Sequence, residues 1–171
     1  MGQSGVMWGK MCIFANEMRF LGNIEAKTDA KGRVFLPSTF RKVLQASGQE
    51  TLVMRKDFFK PCLVRYPENV WNEQMDLLRS RLNRFNASHQ RIFREYVSGT
   101  EVLTLDGNGR FLIPRAYMEE CAIRQDVKFI GMGDTIEVWA LEKMAEERMS
   151  SEEFGKALEE VMGTALPGSL S

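Results

Sequence analysis

Residues 29–37 read DAKGRVFLP and residues 106–114 read DGNGRFLIP, so one nine-residue pattern occurs twice in the chain. Each copy has an aspartate, two variable residues, a Gly-Arg pair, three apolar residues and a proline. The match continues beyond the motif, where Phe40 aligns with Tyr117. An internal repeat of this kind indicates that one chain holds two copies of a small structural unit.

The residues of the motif predict a tight turn followed by a strand and a short helix. An aspartate suits the first position of a turn because its carboxylate accepts backbone N–H bonds, and a glycine suits a position with positive φ. We therefore expect Gly32 and Gly109 to have positive φ. Pro37 and Pro114 each end a strand and suit the first turn of a helix, where a missing N–H has no consequence.

Each copy is predicted to contain strand, turn, strand, short helix, two strands and a closing helix. The predicted strands are 20–27, 33–36, 51–55, 61–66, 101–105, 110–113, 127–132 and 135–140, and the predicted helices are 38–44, 68–82, 83–97, 114–121, 141–149 and 152–162. Short strands with brief helices indicate an α+β fold, because a doubly wound parallel sheet needs longer crossover helices. The hairpin turn at Gly133-Asp134 supports antiparallel pairing.

The chain divides into four predicted segments. Residues 1–17 are expected to be a non-native or disordered N-terminal extension, 18–99 the first half with a basic helical stretch, 100–149 the second half, and 150–171 an acidic C-terminal tail. A unit of about 50 residues buries too little surface to be stable alone, so we expect the two halves to share one core.

The formal net charge is zero, but the charges are segregated along the chain. Residues 18–99 hold 15 basic and eight acidic residues, whereas residues 100–171 hold seven basic and 14 acidic ones. Such segregation suggests a surface for an acidic partner on the first half. The alternative is that the oppositely charged halves attract each other in an oligomer. The arginines of the stretch Arg79–Arg94 fit a nucleic-acid backbone, a solvated helix face or a subunit interface, and we favour the interface.

Catalytic and metal-binding patterns are missing from the sequence. It has one histidine, His89, and three scattered cysteines without ligand or disulfide spacing, and it lacks a phosphate loop, a dinucleotide fingerprint and a nucleophile elbow. We predict no catalytic residue, no metal, no cofactor and no small-molecule substrate. Apolar runs are too short to cross a bilayer, so no membrane association is expected.

Arg33 and Arg110, which follow the two turns, are the candidate functional residues. In one interpretation, Asp29 and Asp106 close the turns and pair with these arginines, which are then structural. In the other, each turn presents its arginine to phosphates or to the acceptor edge of guanine.

The stretch MRFLGNIEAKTDAKGRVFLPSTFRK, the second motif LDGNGRFLIPRAYME and the repeated D-x-x-x-R pair strongly resemble the MraZ family. The resemblance covers about residues 18–149. It implies two pseudo-symmetric AbrB-like β-α-β halves that form a small intertwined barrel with flanking helices. It further implies a ring-shaped homo-oligomer in the cytoplasm and nucleoid that regulates transcription from tandem repeats in the promoter of the division and cell-wall gene cluster.

Double-stranded DNA is accordingly the expected partner, and the resemblance assigns DNA binding to five residues of the turns. They are Asp29, Lys31, Arg33, Asp106 and Arg110. The second turn has Asn108 where the first has Lys31, which predicts a weaker role for the second copy. The alternative is a ring that binds RNA or serves as a scaffold without sequence-specific DNA binding.

Overall fold

The computed structural model describes residues 19–49 and 51–165. The predicted extension 1–17 lies outside the described residues. The chain divides into two compact units, of which one ends at Leu141 and the other begins at Glu142. Among the described helices, none is both long and apolar enough to cross a membrane.

The first unit alternates short strands and helices in the predicted order. Its strands are β1 (Asn23–Lys27), β2 (Arg33–Phe35), β3 (Thr51–Lys56), β4 (Leu63–Pro67), β5 (Thr100–Thr104), β6 (Arg110–Leu112), β7 (Asp126–Gly131) and β8 (Ile136–Ala140). The helices of the whole described chain are α1 (Ser38–Ser47), α2 (Glu68–Arg81), α3 (Ala87–Ser98), α4 (Arg115–Glu120), α5 (Leu141–Glu146) and α6 (Ser151–Ala165).

Two antiparallel sheets organise this unit. Six strands form the larger sheet in the order β1-β7-β8-β4-β3-β5, and β2 pairs with β6 in a separate two-stranded ribbon. Every neighbouring pair of strands is antiparallel. The predicted mixture of short helices with antiparallel strands is therefore confirmed.

Strands from one half complete the sheet of the other half. The first strand of the chain, β1, pairs with β7, and Asn23 lies opposite Ile130. In the same way β5 pairs with β3, and Thr104 lies opposite Thr51. Neither half therefore has a complete sheet of its own, and the two halves share the six-stranded sheet.

The core lies on both faces of the central strand β4, all five residues of which are buried. Phe20 and Phe40, both buried, pack edge to face with ring centroids 5.8 Å apart. Near-continuous apolar sequence is typical of a strand that is covered on both sides. Arg65 is the exception, a fully buried arginine in the middle of β4.

Several helix and strand bounds differ from the predicted ones. Strand β1 begins at Asn23 rather than at residue 20, because Gly22 has φ 94° and interrupts the extended backbone. Helix α3 begins at Ala87 rather than at residue 83, because the Asn86 side chain accepts the N–H groups of Ser88 and His89 and caps the helix. Helix α5 ends at Glu146, three residues before the predicted end.

The second unit contains the tail helix α6, which the sequence predicted over 152–162. A reciprocal cap begins it, since the Ser150 N–H donates to Glu153 Oε2 and the Glu153 N–H donates to Ser150 Oγ, each at 3.1 Å. This capping box satisfies two donors that a helix start otherwise leaves unpaired.

Candidate nucleic-acid interface

The first turn is held by Asp29. Its Oδ1 accepts the backbone N–H groups of Lys31 and Arg33, each at 2.9 Å, and its Oδ2 pairs with Arg33 Nε at 2.7 Å. Gly32 has φ 88°, as predicted, and donates its N–H to the Asp29 carbonyl. The Arg33 side chain is thus oriented by the aspartate that opens the turn.

The second turn repeats this geometry. Asp106 Oδ1 accepts the N–H groups of Asn108 and Arg110 at 2.9 Å, and Oδ2 pairs with Arg110 Nε at 2.9 Å. Gly109 has φ 81°, which confirms the second glycine prediction. The pKa values of Asp29 and Asp106 are lowered, chiefly by the backbone N–H of Arg33 and of Arg110 respectively. Both carboxylates are therefore ionised at neutral pH, so each turn keeps its ion pair.

Pairing of β2 with β6 brings the two arginines onto one face of the ribbon. Arg33 lies opposite Leu112, and Phe35 lies opposite Arg110. Successive residues of a strand point to opposite faces, so Arg33 and Phe35 share one face with Arg110 and Leu112. Phe35 and Leu112 on that face are 55% and 48% exposed. The two arginines are diagonal neighbours across the ribbon, which corresponds to roughly 7–8 Å between their Cα atoms.

The opposite face of the ribbon is anchored in the core through Val34 and Phe111, both of which are buried. Phe111 packs edge to face on Phe129 with ring centroids 6.2 Å apart. The Arg65 guanidinium also lies over the Phe111 ring, 3.6 Å from its centroid. These contacts hold a ribbon of only two short strands against the larger sheet.

Arg41 is a residue of this region that the sequence interpretation did not single out. A Cβ placed on Gly109 would lie 2.5 Å from Arg41 Nη1, so the guanidinium of Arg41 lies against the second turn. The equivalent position beside Gly32 is taken by Met118. The second turn thus has a neighbouring cation although it lacks a counterpart of Lys31, a compensation that only the tertiary structure reveals.

The basic stretch Arg79–Arg94 belongs to α2, α3 and the loop between them rather than to the ribbon. Arg79 lies over the ring of Phe93, 4.0 Å from its centroid. His89 Nδ1 accepts the backbone N–H of Asn83 at 2.8 Å, so this histidine helps to close the loop between the helices.

Among the described residues, one group has metal-ligand chemistry: Asp57, Cys62 and Glu137, with ligand atoms within 4.8 Å of one another. Each has a structural role or a high pKa. Asp57 Oδ2 accepts the N–H groups of Phe59 and Lys60, and Glu137 accepts the indole N–H of Trp139. Burial and the negative charge of Glu137 raise the pKa of the Cys62 thiol, which keeps it protonated. Asp57 and Cys62 lie in the β3–β4 connection and Glu137 lies on β8, and we interpret all three as structural residues.

Comparison with known proteins identifies the family of the chain. The family model described as "MraZ protein, putative antitoxin-like" matches the chain twice, over residues 19–95 and 96–160. The chain belongs to the MraZ family. The two abutting matches correspond to the two copies of the repeated motif, because each contains one D-x-x-x-R turn.

Relatives in the MraZ family match along nearly their whole length. A protein from Phocaeicola vulgatus is 64% identical over 147 residues, covering 86% of this chain and 96% of the relative. One from Bacteroides thetaiotaomicron is 59% identical, covering 85% and 93%, and one from Christiangramia forsetii is 32% identical, covering 85% and 94%. Each of the three is named "Transcriptional regulator MraZ".

Membership in the MraZ family tests the prediction that the chain is not an enzyme. The family consists of transcriptional regulators and not of enzymes. The prediction that the chain is not an enzyme is confirmed on that ground, and a role in transcription regulation follows for the chain. A solution structure from Pyrococcus horikoshii is also similar, at 16% identity, 72% coverage of this chain, 92% of that one and a TM-score of 0.29, which is too low to support an argument.

Proposed function

We propose that the chain binds double-stranded DNA sequence-specifically through the outward face of the β2–β6 ribbon. The observation that carries the proposal is the position of Arg33 and Arg110 on one exposed face of that ribbon, each oriented by its own aspartate. The major groove of B-DNA admits a two-stranded ribbon, and arginine donates two parallel hydrogen bonds to guanine O6 and N7. Asp29, Lys31 and Asp106 support or flank these contacts.

Each aspartate limits the freedom of its arginine without occupying the whole guanidinium. Because the carboxylate engages Nε–H, the terminal amino groups are the ones that a base or a phosphate reaches. A side chain held in one orientation before binding loses less conformational entropy when it meets DNA. The structural and the DNA-binding interpretations of these arginines are therefore compatible, because the ion pair that shapes the turn also orients the arginine for DNA.

The wider proposal concerns assembly and target. The two halves are AbrB-like swapped hairpins forming an intertwined barrel, which the exchange of β1 and β5 between halves supports. Copies of the chain form a ring that binds tandem promoter repeats of the division and cell-wall gene cluster, in the cytoplasm and on the nucleoid. The names of the relatives support the regulatory part of this proposal.

Arg33→Ala is the test of the ribbon. One bidentate arginine–guanine contact discriminates by roughly 1–3 kcal/mol, and several subunits contribute at once, so the variant should lose measurable binding to the promoter repeats. Arg110→Ala should lose affinity for the promoter repeats to a similar degree, because the second turn, with Arg41 beside it, also presents two cations to DNA. Fluorescence anisotropy on promoter repeats, scrambled DNA and RNA of the same sequence gives the affinities.

Two control variants separate base recognition from simple charge. Arg33→Lys keeps the charge but loses the planar fork, so it should bind repeats and scrambled DNA equally weakly. Arg148→Ala removes one charge from the second unit and should bind like the parent. Parent-like affinity of Arg33→Ala for the repeats would contradict the proposal, and equal affinity of the parent for RNA would favour the RNA-binding alternative.

A further inference from the structure

An open apolar groove lies between helices α2 and α3, away from the ribbon. It encloses about 790 Å³, and its apolar lining consists of Phe58, Leu77, Leu78, Ile92 and Tyr96. Leu77 is 57% exposed and Ile92 is 51% exposed. Large apolar side chains gathered in one exposed groove mark an interaction surface.

Aromatic contacts give the groove a defined shape. The ring of Tyr96 stacks between those of Trp71 and Phe58, at centroid distances of 4.9 Å and 5.3 Å. Yet none of the 12 residues of α3, all of which the structure describes, is buried. Amphipathic helices of this length owe their stability to packing of the apolar face, so α3 lacks a partner on the groove side.

The charged residues around the groove indicate which kind of partner fits it. Five arginines lie on α2, on α3 and in the loop between them: Arg79, Arg81, Arg84, Arg91 and Arg94. Of these, Arg81 lines the groove directly, together with Arg55 and one carboxylate, Glu95. Because arginines outnumber carboxylates in this lining, an occupant with apolar side chains and a negatively charged rim fits the groove.

Helix α6 has these properties. Phe154, Leu158 and Met162 recur at positions i, i+4 and i+8 and are 56%, 48% and 49% exposed, so they form one apolar stripe. Glutamates surround the stripe: Glu152, Glu153, Glu159 and Glu160. The second unit spans only 30 residues, from Glu142 to Ser171, which is too few to build a core that would cover the stripe.

We infer that the α2–α3 groove is a contact surface between copies of this chain, and that it receives the apolar stripe of α6 from a second copy. Insertion of an amphipathic helix into an apolar groove is a common mode of recognition. The contact joins two different surfaces, so it repeats from copy to copy and closes when the rotation allows a ring. The inference specifies how the ring of the proposed function assembles, and it involves no residue of the ribbon.

Two single variants test the two sides of the contact, both without DNA. Leu77→Glu places a carboxylate in the groove, and Leu158→Glu places one on the stripe. Because both residues are exposed, each variant should retain the circular dichroism spectrum of the parent. Light scattering after size exclusion should show the parent well above a dimer and each variant at a much smaller mass. Leu112→Glu, an exposed ribbon variant, should assemble like the parent while binding DNA poorly.

Mixing the two variants gives the decisive result. The Leu77→Glu chain keeps an intact α6 and the Leu158→Glu chain keeps an intact groove, so the mixture should contain a 1:1 heterodimer that native mass spectrometry resolves. If α6 occupied the groove of its own chain, or another protein filled the groove, the variants would assemble like the parent and would not complement each other. Either result, or a monomeric parent, overturns the inference. Since DNA is absent, failure of DNA recognition leaves this test unaffected.

Discussion

Gly32 and Gly109 occupy equivalent turns but have different surroundings. Both have positive φ, which L-residues adopt only with strain. A Cβ on Gly32 would lie 2.9 Å from the backbone oxygen of Ile113, whereas on Gly109 it would meet the flexible side chain of Arg41. The first turn therefore excludes a side chain more strictly, because a backbone oxygen cannot move aside as a flexible side chain can.

Gly32→Ala should lower the free energy of unfolding by more than the strain of a positive φ alone. Gly133→Ala is the matched control, since Gly133 has φ 82° and open space around its Cβ position. We expect about 1–2 kcal/mol for the control and at least about 1 kcal/mol more for Gly32→Ala, because of the added clash. Chemical denaturation measures both; equal losses would mean that the Ile113 carbonyl is not a barrier.

Arg65 presents the opposite case, a charge in the core. It is fully buried, and none of its three guanidinium nitrogens has a hydrogen-bond partner among the described residues. Desolvation lowers its pKa from 12.5 to about 9. Stacking on Phe111 compensates in part, since a desolvated cation on an aromatic face gains about 2 kcal/mol.

At pH 7 the free energy of unfolding of Arg65→Met should equal that of the parent or exceed it by up to about 4 kcal/mol. The reason is that the apolar side chain of methionine avoids the cost of burying a charge. The pH dependence has a defined sign. Below about pH 9 both folded and unfolded chains carry the proton, so the difference is constant. Above it the folded chain releases the proton first, so the parent gains stability and the advantage of the variant shrinks.

Arg55→Met is the control for that comparison. Arg55 is also buried, but it donates to the backbone carbonyls of Lys56 and Tyr96. Its replacement should destabilise the fold, because these carbonyls lose their donor. A loss of several kcal/mol for Arg65→Met as well would mean that its contact with Phe111 outweighs desolvation.

Residue-scale predictions from the sequence were accurate where local chemistry decides the conformation. The turns closed by the two aspartates and the positive φ of both glycines follow from nine-residue motifs. That Arg33 and Arg110 share one face could not be predicted in the same way. It depends on the pairing of β2 with β6, and no local signal specifies which strand a three-residue strand will pair with.

At the scale of elements, the ribbon consists of only two short strands and helix α3 has no buried residue. A two-stranded ribbon is marginally stable by itself, so the packing of Val34 and Phe111 into the core maintains it. Helix α3 depends on its N-terminal cap, because the Asn86 side chain accepts two backbone N–H groups of the first turn. The sequence interpretation began this helix at residue 83, because the arginine-rich pattern continues through the loop and obscures the capping asparagine.

Asn86→Ala should destabilise α3 by about 1 kcal/mol, the usual effect of losing an N-cap side chain. Hydrogen exchange of the α3 amides measures the change directly and should rise there before it rises in β3 and β4. Asn72→Ala, at an exposed position inside α2, serves as the control and should be neutral or slightly stabilising, because alanine is the better helix former. Equal exchange in both variants would show that the cap has no effect.

At the scale of the whole molecule, the proposed ring places several ribbons on one DNA. Linking binding sites raises overall affinity by about 10²–10⁴ when geometry allows simultaneous contact. The parent should therefore bind tandem repeats about 10²–10⁴ times more tightly than a single repeat, and affinity should fall by about 0.9 log units per tenfold salt for each phosphate contact.

Leu77→Glu provides the comparison for this measurement, because its ribbon is intact while its groove is not. It should bind the single repeat like the parent and gain little on the tandem repeats. If the parent itself gained nothing from tandem repeats, the ring would have no role in recognition. Titration at several salt concentrations gives both quantities from one set of samples.

The exchange of strands between halves also determines when the protein can fold during synthesis. Asn23 pairs with Ile130, so β1 leaves the ribosome long before its partner exists. At about 5–20 residues per second the wait is roughly 5 to 20 s. Throughout that interval the edge of β1 is open, as is that of β3 until β5 follows. A nascent chain in this state can pair with a neighbour on the same polysome, so the same exchange that unites the two halves gives copies of the chain an early opportunity to meet.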